Sequence, residues 1–86
     1  MQVNRQLERL IVPWGKQEII LQEVIAEAGG MPLLRVRIRE GSRFTIFDLD
    51  CQSARQIGQA MRDWGAQVEQ GEAEKTAGVL ADKVPL

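Results

Sequence analysis

The segment 33–47 reads LLRVRIREGSRFTIF, and it decides the fold of this chain. In its first half, apolar side chains alternate strictly with arginines. Its second half, after Glu40-Gly41-Ser42, is rich in aromatic and β-branched residues. Strict alternation is typical of a half-buried strand, because successive side chains point to opposite faces. Two such runs around a short glycine-containing loop predict a β-hairpin.

The register of this hairpin determines which side chains share a face. We expect Arg39 to lie opposite Arg43, because this pairing collects the apolar side chains on one dry face, namely Leu34, Val36, Ile38, Phe44 and Ile46. The opposite face, called here the predicted arginine face, then carries Arg35, Arg37, Arg39, Arg43, Thr45 and Phe47. On this reading Ile46 belongs to the core, and Ile46→Asp is expected to prevent folding.

The residues before the hairpin predict further strands. Residues 17–26 have the composition of a strand with apolar side chains on both faces. Residues 7–12 suit either a strand or a short helix, and we favour the strand because of the β-branched Ile11 and Val12. Pro13-Trp14-Gly15-Lys16 is a turn in which glycine supplies a positive φ. The sequence therefore predicts an antiparallel meander of three to four strands.

A helix is predicted after the hairpin. Asp50 is a favourable N-cap residue. The apolar residues that follow recur at a 3-4-3-4 spacing, which places Ala54, Ile57, Met61, Trp64 and Val68 on one stripe of an amphipathic helix. We expect this stripe to cover the apolar face of the sheet and the helix to end at Gln70-Gly71. The predicted class is therefore α+β, with one domain over residues 1–69 and a flexible acidic tail over residues 70–86.

The composition argues against an enzyme. The chain has 86 residues, no histidine, no tyrosine and one cysteine, so the commonest general base and metal ligand is absent. Asp48 and Asp50 precede a helix, where carboxylates are more often caps than ligands. We therefore predict no catalytic residue, no cofactor and no metal. Cys51, at the expected helix start, leaves the alternative of an accessory protein that uses this thiol.

The setting of the protein also follows from composition. A lone cysteine fits a reducing compartment, and the sequence shows no signal peptide and no apolar run of membrane-spanning length. We expect a cytoplasmic protein of bacterial type that does not bind membranes. A domain of this size buries little surface alone, which favours a homodimer. Trp14 either caps the edge of the core or serves as a contact residue.

The predicted arginine face is the main functional signal. Guanidinium groups bind phosphates in a forked geometry, and exposed aromatic rings stack on unpaired bases. These properties predict a small non-enzymatic module that binds single-stranded DNA or RNA. The alternatives are a protein-interaction or assembly factor that docks on an acidic partner, and a solvated face whose arginines pair with Glu18, Gln22 or Glu23.

The order of elements resembles a known fold family. Four antiparallel strands followed by one amphipathic helix, with the alternating strand at residues 35–39, residues 43–47 and the helix opening at Asp50, resemble the PC4-like or Whirly-type fold. This resemblance is topological and covers about three quarters of the chain. It implies an oligomer that binds single-stranded nucleic acid on a sheet surface. The slightly acidic net charge of −1 departs from that family's pattern.

Overall fold

The computed structural model describes residues 2–27 and 29–78, and it confirms an α+β chain. Four antiparallel strands form a meander in the order β1-β2-β3-β4, and one helix follows them. The elements are β1 (Gln2–Ile11), β2 (Glu18–Ile25), β3 (Pro32–Glu40), β4 (Arg43–Leu49) and α1 (Cys51–Gly78). The strands and the first turn of α1 form one compact unit that ends at Arg55, and the rest of α1 forms a second unit.

β1 is a strand and not a helix, which settles the alternative left open for residues 7–12. It begins earlier than predicted, at Gln2, and its pairing with β2 is interrupted twice, between Val3 and Arg5 and between Gln6 and Glu8. Each interruption is a β-bulge that leaves one extra residue on β1. The Glu23 carboxylate accepts hydrogen bonds from Asn4 Nδ2 at 2.7 Å and Arg5 Nε at 2.8 Å, so both residues of the first bulge lie on one face.

The turn between β1 and β2 lies where it was predicted, although its conformation differs. Val12 and Gln17 close it through a backbone hydrogen bond of 2.8 Å. The residue with positive φ is Lys16, at 63°, and not Gly15. Gly15 instead leaves room for a neighbouring side chain, because a Cβ at this position would lie 2.3 Å from Gln17 Oε1.

The register of the β3–β4 hairpin differs from the prediction by one residue. Glu40, and not Arg39, is opposite Arg43, so the loop contains only Gly41 and Ser42. Gly41 has a φ of 61°. A two-residue loop with glycine at the first position is the type II′ turn, whose twist matches that of the flanking strands. The turn thus overrides the register that the apolar pattern favoured.

This one-residue shift turns every β4 side chain to the other face of the sheet. The face called here the apolar face is formed by Ile19, Leu21, Val36, Ile38 and Phe47. The opposite face, called here the mixed face, is formed by Ile20, Arg35, Arg37, Arg39, Phe44 and Ile46, together with Glu18 and Asp48. Among the described residues, the buried hydrophobic side chains are Val24 and Val36, with relative exposures of 0% and 9%.

α1 begins as predicted and ends later than predicted. The Asp50 carbonyl accepts a hydrogen bond from Ala54 N at 3.0 Å, and the Asp50 side chain bonds to Ser53. The helix continues through Gly71 to Gly78, because one glycine costs only about 1 kcal/mol in a helix that is already nucleated. Residues 79–86 of the predicted tail lie outside the described residues.

The apolar stripe of α1 is exposed. Met61 and Trp64, predicted to be core residues, each expose 67% of their surface, and Ile57 and Val68 expose 42% and 38%. The side chains of a helix cannot bury the apolar stripe of that same helix. That this stripe covers the apolar face of the sheet stays a prediction.

Candidate binding face on the sheet

The structure separates the residues of the predicted arginine face. Arg35, Arg37 and Arg39 lie together on the mixed face, because they occupy alternate positions of β3. Arg43, Thr45 and Phe47 belong to the other side of the sheet, where Thr45 is opposite Ile38 and Phe47 is opposite Val36. The prediction that these six residues share a face is therefore wrong, and the cause is the hairpin register.

Arg35 is held by a carboxylate. Its cross-strand neighbour on β4 is Asp48. Arg35 Nε donates to Asp48 Oδ1 at 2.8 Å and its terminal nitrogen donates to Oδ2 at 3.1 Å, which is the bidentate geometry. The guanidinium lowers the pKa of Asp48, and the carboxylate raises the pKa of Arg35. The Arg35 guanidinium is therefore already bound to a carboxylate of the same sheet.

Arg39 shares a carboxylate with β1. Its cross-strand neighbour on β2 is Glu18, whose Oε1 accepts from Arg39 Nε at 3.2 Å. The other Glu18 oxygen accepts from Arg9 Nε at 2.6 Å. The hydrogen bond from Arg9 is the main reason why the pKa of Glu18 is lowered. Two guanidiniums thus share one negative charge, so this corner of the mixed face keeps a positive excess.

Arg37 has a different environment. Its cross-strand neighbours are Ile20 on β2 and Ile46 on β4, and neither can accept a hydrogen bond. Within the described part of the chain, Arg37 forms no ion pair and no side-chain hydrogen bond. Arg37 is half-buried, and both of its cross-strand neighbours are apolar.

Large apolar side chains flank these arginines. Phe44 and Ile46 are 58% and 50% exposed, and they lie directly opposite Arg39 and Arg37. A depression of about 310 Å³ lies on the mixed face, lined by Glu18, Ile20, Arg37, Arg39 and Phe44. Sequence reasoning missed Ile20, Phe44 and Ile46 as parts of this face. The signal that would have found them is Gly41 at the first position of a two-residue turn.

The remaining candidates lie away from this face. Trp14, in the β1–β2 turn, is 96% exposed and does not cap the core edge. Cys51 is a free, exposed thiol at the first residue of α1. In the described ranges, no group of three or more metal-ligating side chains is close enough to hold an ion. Over the same ranges, no helix combines the length and the apolar character that a membrane crossing requires.

The comparisons with known proteins give a family. The model of a family of unknown function, DUF6967, matches residues 1–67. The chain belongs to this family. The match spans all four strands and the first part of α1, which includes the whole mixed face. No curated protein and no solved structure matches the chain.

Proposed function

We propose that this member of the DUF6967 family is a non-enzymatic protein-interaction module that binds its partner on the mixed face. The observation that supports this proposal is the position of Arg37 between the half-buried Ile20 and the exposed Ile46. Arginine and aromatic residues are enriched in protein interfaces, and binding energy concentrates where they are desolvated together. The partner that fits this surface presents an apolar side chain beside a carboxylate.

The distribution of charge favours a protein partner over a phosphate backbone. The mixed face carries Glu18 and Asp48 among its arginines; Asp48 already holds one guanidinium and Glu18 holds two. These carboxylates repel phosphates, and the paired guanidiniums have fewer free donors for them. A protein partner needs only one carboxylate, which Arg37 can receive in a forked geometry.

The apolar contacts set the scale of the affinity. Burying a whole Phe or Ile side chain is worth about 1.5–3 kcal/mol, and Phe44 and Ile46 each have about half of that area left to bury. The two side chains together contribute about 2–3 kcal/mol. A micromolar complex needs about 8 kcal/mol, so the partner must contact more of the face than these two residues.

The direct test is affinity capture from a nuclease-treated lysate of the native host. The bait variants are Arg37→Glu and, as a matched charge reversal outside the sheet, Arg62→Glu on α1. We expect a stoichiometric protein that the wild type and Arg62→Glu retain and that Arg37→Glu loses. Equal capture by all three baits, or a partner that disappears on nuclease treatment, would contradict the proposal.

A second candidate function is the binding of single-stranded nucleic acid. The observation that favours it is the depression in which Phe44 lies beside Arg37 and Arg39. A base stacked on an exposed ring gains about 1–3 kcal/mol. The test is fluorescence anisotropy of a labelled oligothymidine at about 50 mM salt, where phosphate contacts are strong. The protein-interaction proposal expects no binding, whereas binding that weakens steeply with salt and with Arg37→Glu would establish this second function.

We also propose that the module acts as a cytoplasmic homodimer. The four strands form one layer, and their described core is limited to Val24 and Val36, which is small for a domain that must fold alone. The exposed lone thiol of Cys51 suits a reducing compartment.

A further inference from the structure

The two edges of the sheet differ in how they are protected. β1 carries two bulges, and bulges disturb the regular row of backbone groups that another strand would need. β4 pairs with β3 without interruption, contains no proline or lysine, and has no charged residue between Arg43 and Asp48. An uninterrupted edge of this composition invites a further strand.

The turn determines which backbone groups β4 offers. Glu40 and Arg43 close a two-residue hairpin loop, so they form a hydrogen-bonded pair, and such pairs alternate along an antiparallel ladder. Arg43, Thr45 and Phe47 therefore direct their backbone groups to β3. Phe44 and Ile46 direct theirs outward. Among the described residues, neither Phe44 nor Ile46 forms a backbone hydrogen bond beyond the pairing of the strands.

We propose that β4 pairs antiparallel with β4 of a second copy of this chain, about a two-fold axis at Thr45. The two sheets then become one continuous sheet, and each face of one copy continues into the same face of the other. Phe44 forms a hydrogen-bonded pair with the partner's Ile46, and Ile46 forms one with the partner's Phe44. The inference rests on the proposed homodimer, on the edge and on its register, and it does not depend on the proposed partner protein.

The side chains are self-complementary in this register. On the mixed face, each Phe44 meets an Ile46, which is a favourable pair of an aromatic with a β-branched residue. On the other face, Thr45 meets the partner's Thr45, and Arg43 meets the partner's Phe47. The alternative axis at Ile46 would place Phe44 opposite the partner's Asp48. That arrangement would set an aromatic ring beside a carboxylate already bonded to Arg35.

β4 exposes large apolar side chains that a second copy would cover. Phe44, Ile46 and Phe47 are 58%, 50% and 43% exposed, and all three lie on this one edge strand. The two-fold pairing covers part of each of them at once. The partner strand in this pairing has the same sequence, so the apolar positions of one copy match those of the other.

Disulfide trapping tests the proposal at residue level. Thr45 and the partner's Thr45 form a pair without hydrogen bonds, with Cα atoms about 4.5 Å apart, which lies within the range that a disulfide spans. In a Cys51→Ser background, Thr45→Cys should form a covalent dimer on exposure to oxidised glutathione. Ile46→Cys is the register control, because its diagonal neighbours are about 7–8 Å apart or more. Gln6→Cys on β1 is the control for the other edge.

Each outcome of the trapping experiment decides the proposal. Rapid cross-linking of Thr45→Cys, with slow or absent cross-linking of the two controls, supports it. Preferential cross-linking of Ile46→Cys would overturn the register, and efficient cross-linking of Gln6→Cys would overturn the choice of edge. No cross-linking of any variant would overturn the β4–β4 pairing, whereas the homodimer itself is tested by the oligomeric state.

The oligomeric state gives an independent measurement. By sedimentation velocity of the full chain, we expect the wild type at twice the monomer mass. Thr45→Lys places two like charges opposite each other, and we expect it at the monomer mass with an unchanged circular dichroism spectrum. A wild-type chain that is monomeric over the whole concentration range, or a Thr45→Lys variant that is still dimeric, would overturn the proposal.

Discussion

The hairpin register predicts opposite responses to the same substitution at two positions. Val36 and Ile46 are both β-branched residues in the centre of neighbouring strands. Val36 is 9% exposed and lies between Leu21 and Phe47, whereas Ile46 is 50% exposed and lies opposite Arg37. We expect Ile46→Asp to fold and Val36→Asp to be unfolded.

The magnitudes follow from exposure and from the neighbours across the strands. Ile46→Asp gives up about 1 kcal/mol of half-completed burial and about 1 kcal/mol of strand propensity. An ion pair with Arg37 returns about 0.2–1 kcal/mol, so the net loss is about 1–2 kcal/mol. Val36→Asp loses about 1.5–3 kcal/mol of burial and several more for an unpaired buried carboxylate. An 86-residue domain has only about 4–13 kcal/mol in total.

The assay is urea denaturation followed by circular dichroism, with both variants at the same dilute concentration. The expected result is a cooperative transition for Ile46→Asp at a somewhat lower midpoint and no transition for Val36→Asp. The register with Arg39 opposite Arg43 would instead bury Ile46 beside Val36. An unfolded Ile46→Asp, which that register predicts alongside an unfolded Val36→Asp, would refute the reasoning.

Three further predictions concern single contacts. Val24→Ala removes two fully buried methyl groups and should lower the unfolding free energy by about 2 kcal/mol, measured as a fall in melting temperature of about 8–16 °C. Gly41→Ala should lower the unfolding free energy by about 1–2 kcal/mol through its positive φ alone, since a Cβ there meets nothing within 4 Å. Gly58 in α1 is equally unobstructed, and Gly58→Ala should raise the unfolding free energy by up to about 1 kcal/mol in the same urea titration. The lowered pKa of Asp48 means that its pairing stabilises the fold above the ordinary carboxyl pKa and is lost as the pH falls through the lowered value. Asp48→Asn should therefore lower the urea midpoint at pH 7, and this difference should shrink as the pH falls below the ordinary carboxyl pKa. A pH-independent difference would show that the charge of Asp48 does not matter.

Much of the architecture was predictable because local signals agreed with one another. Alternation in residues 33–39, a glycine in the following loop and the Asp50 cap each have one simple structural meaning, and all three were confirmed. β1 was less certain, because Leu7, Leu10 and Ile11 also have helical spacing. Its two bulges break the period of two that identifies a strand, which is why periodicity alone could not decide it.

The register could not be obtained from the apolar pattern, because β4 is apolar on both faces. Phe44 and Ile46 occupy one face, while Phe47 and Leu49 occupy the other, so either register buries apolar side chains. The turn decides between them, since a loop of two residues needs the positive φ that Gly41 provides. The predicted end of α1 was wrong for a different reason. Gly71 was interpreted as a helix stop, although strong helix formers surround it.

The register also determines the electrostatics of the candidate face. In the sequence, a run of alternating arginines suggests one continuous basic surface. In the sheet, the cross-strand neighbour of each arginine determines whether its guanidinium is paired with a carboxylate. Arg35 lies opposite Asp48 and Arg39 lies opposite Glu18, whereas Arg37 lies between two isoleucines. The same pairing that fixes the fold therefore selects Arg37 as the guanidinium to which an outside carboxylate binds most readily. A glutamate in place of Ile20 should form an ion pair with Arg37 within the sheet. Ile20→Glu should therefore abolish capture of the partner protein as completely as Arg37→Glu does. Retention of the partner by Ile20→Glu would show that Arg37 is not the contact residue.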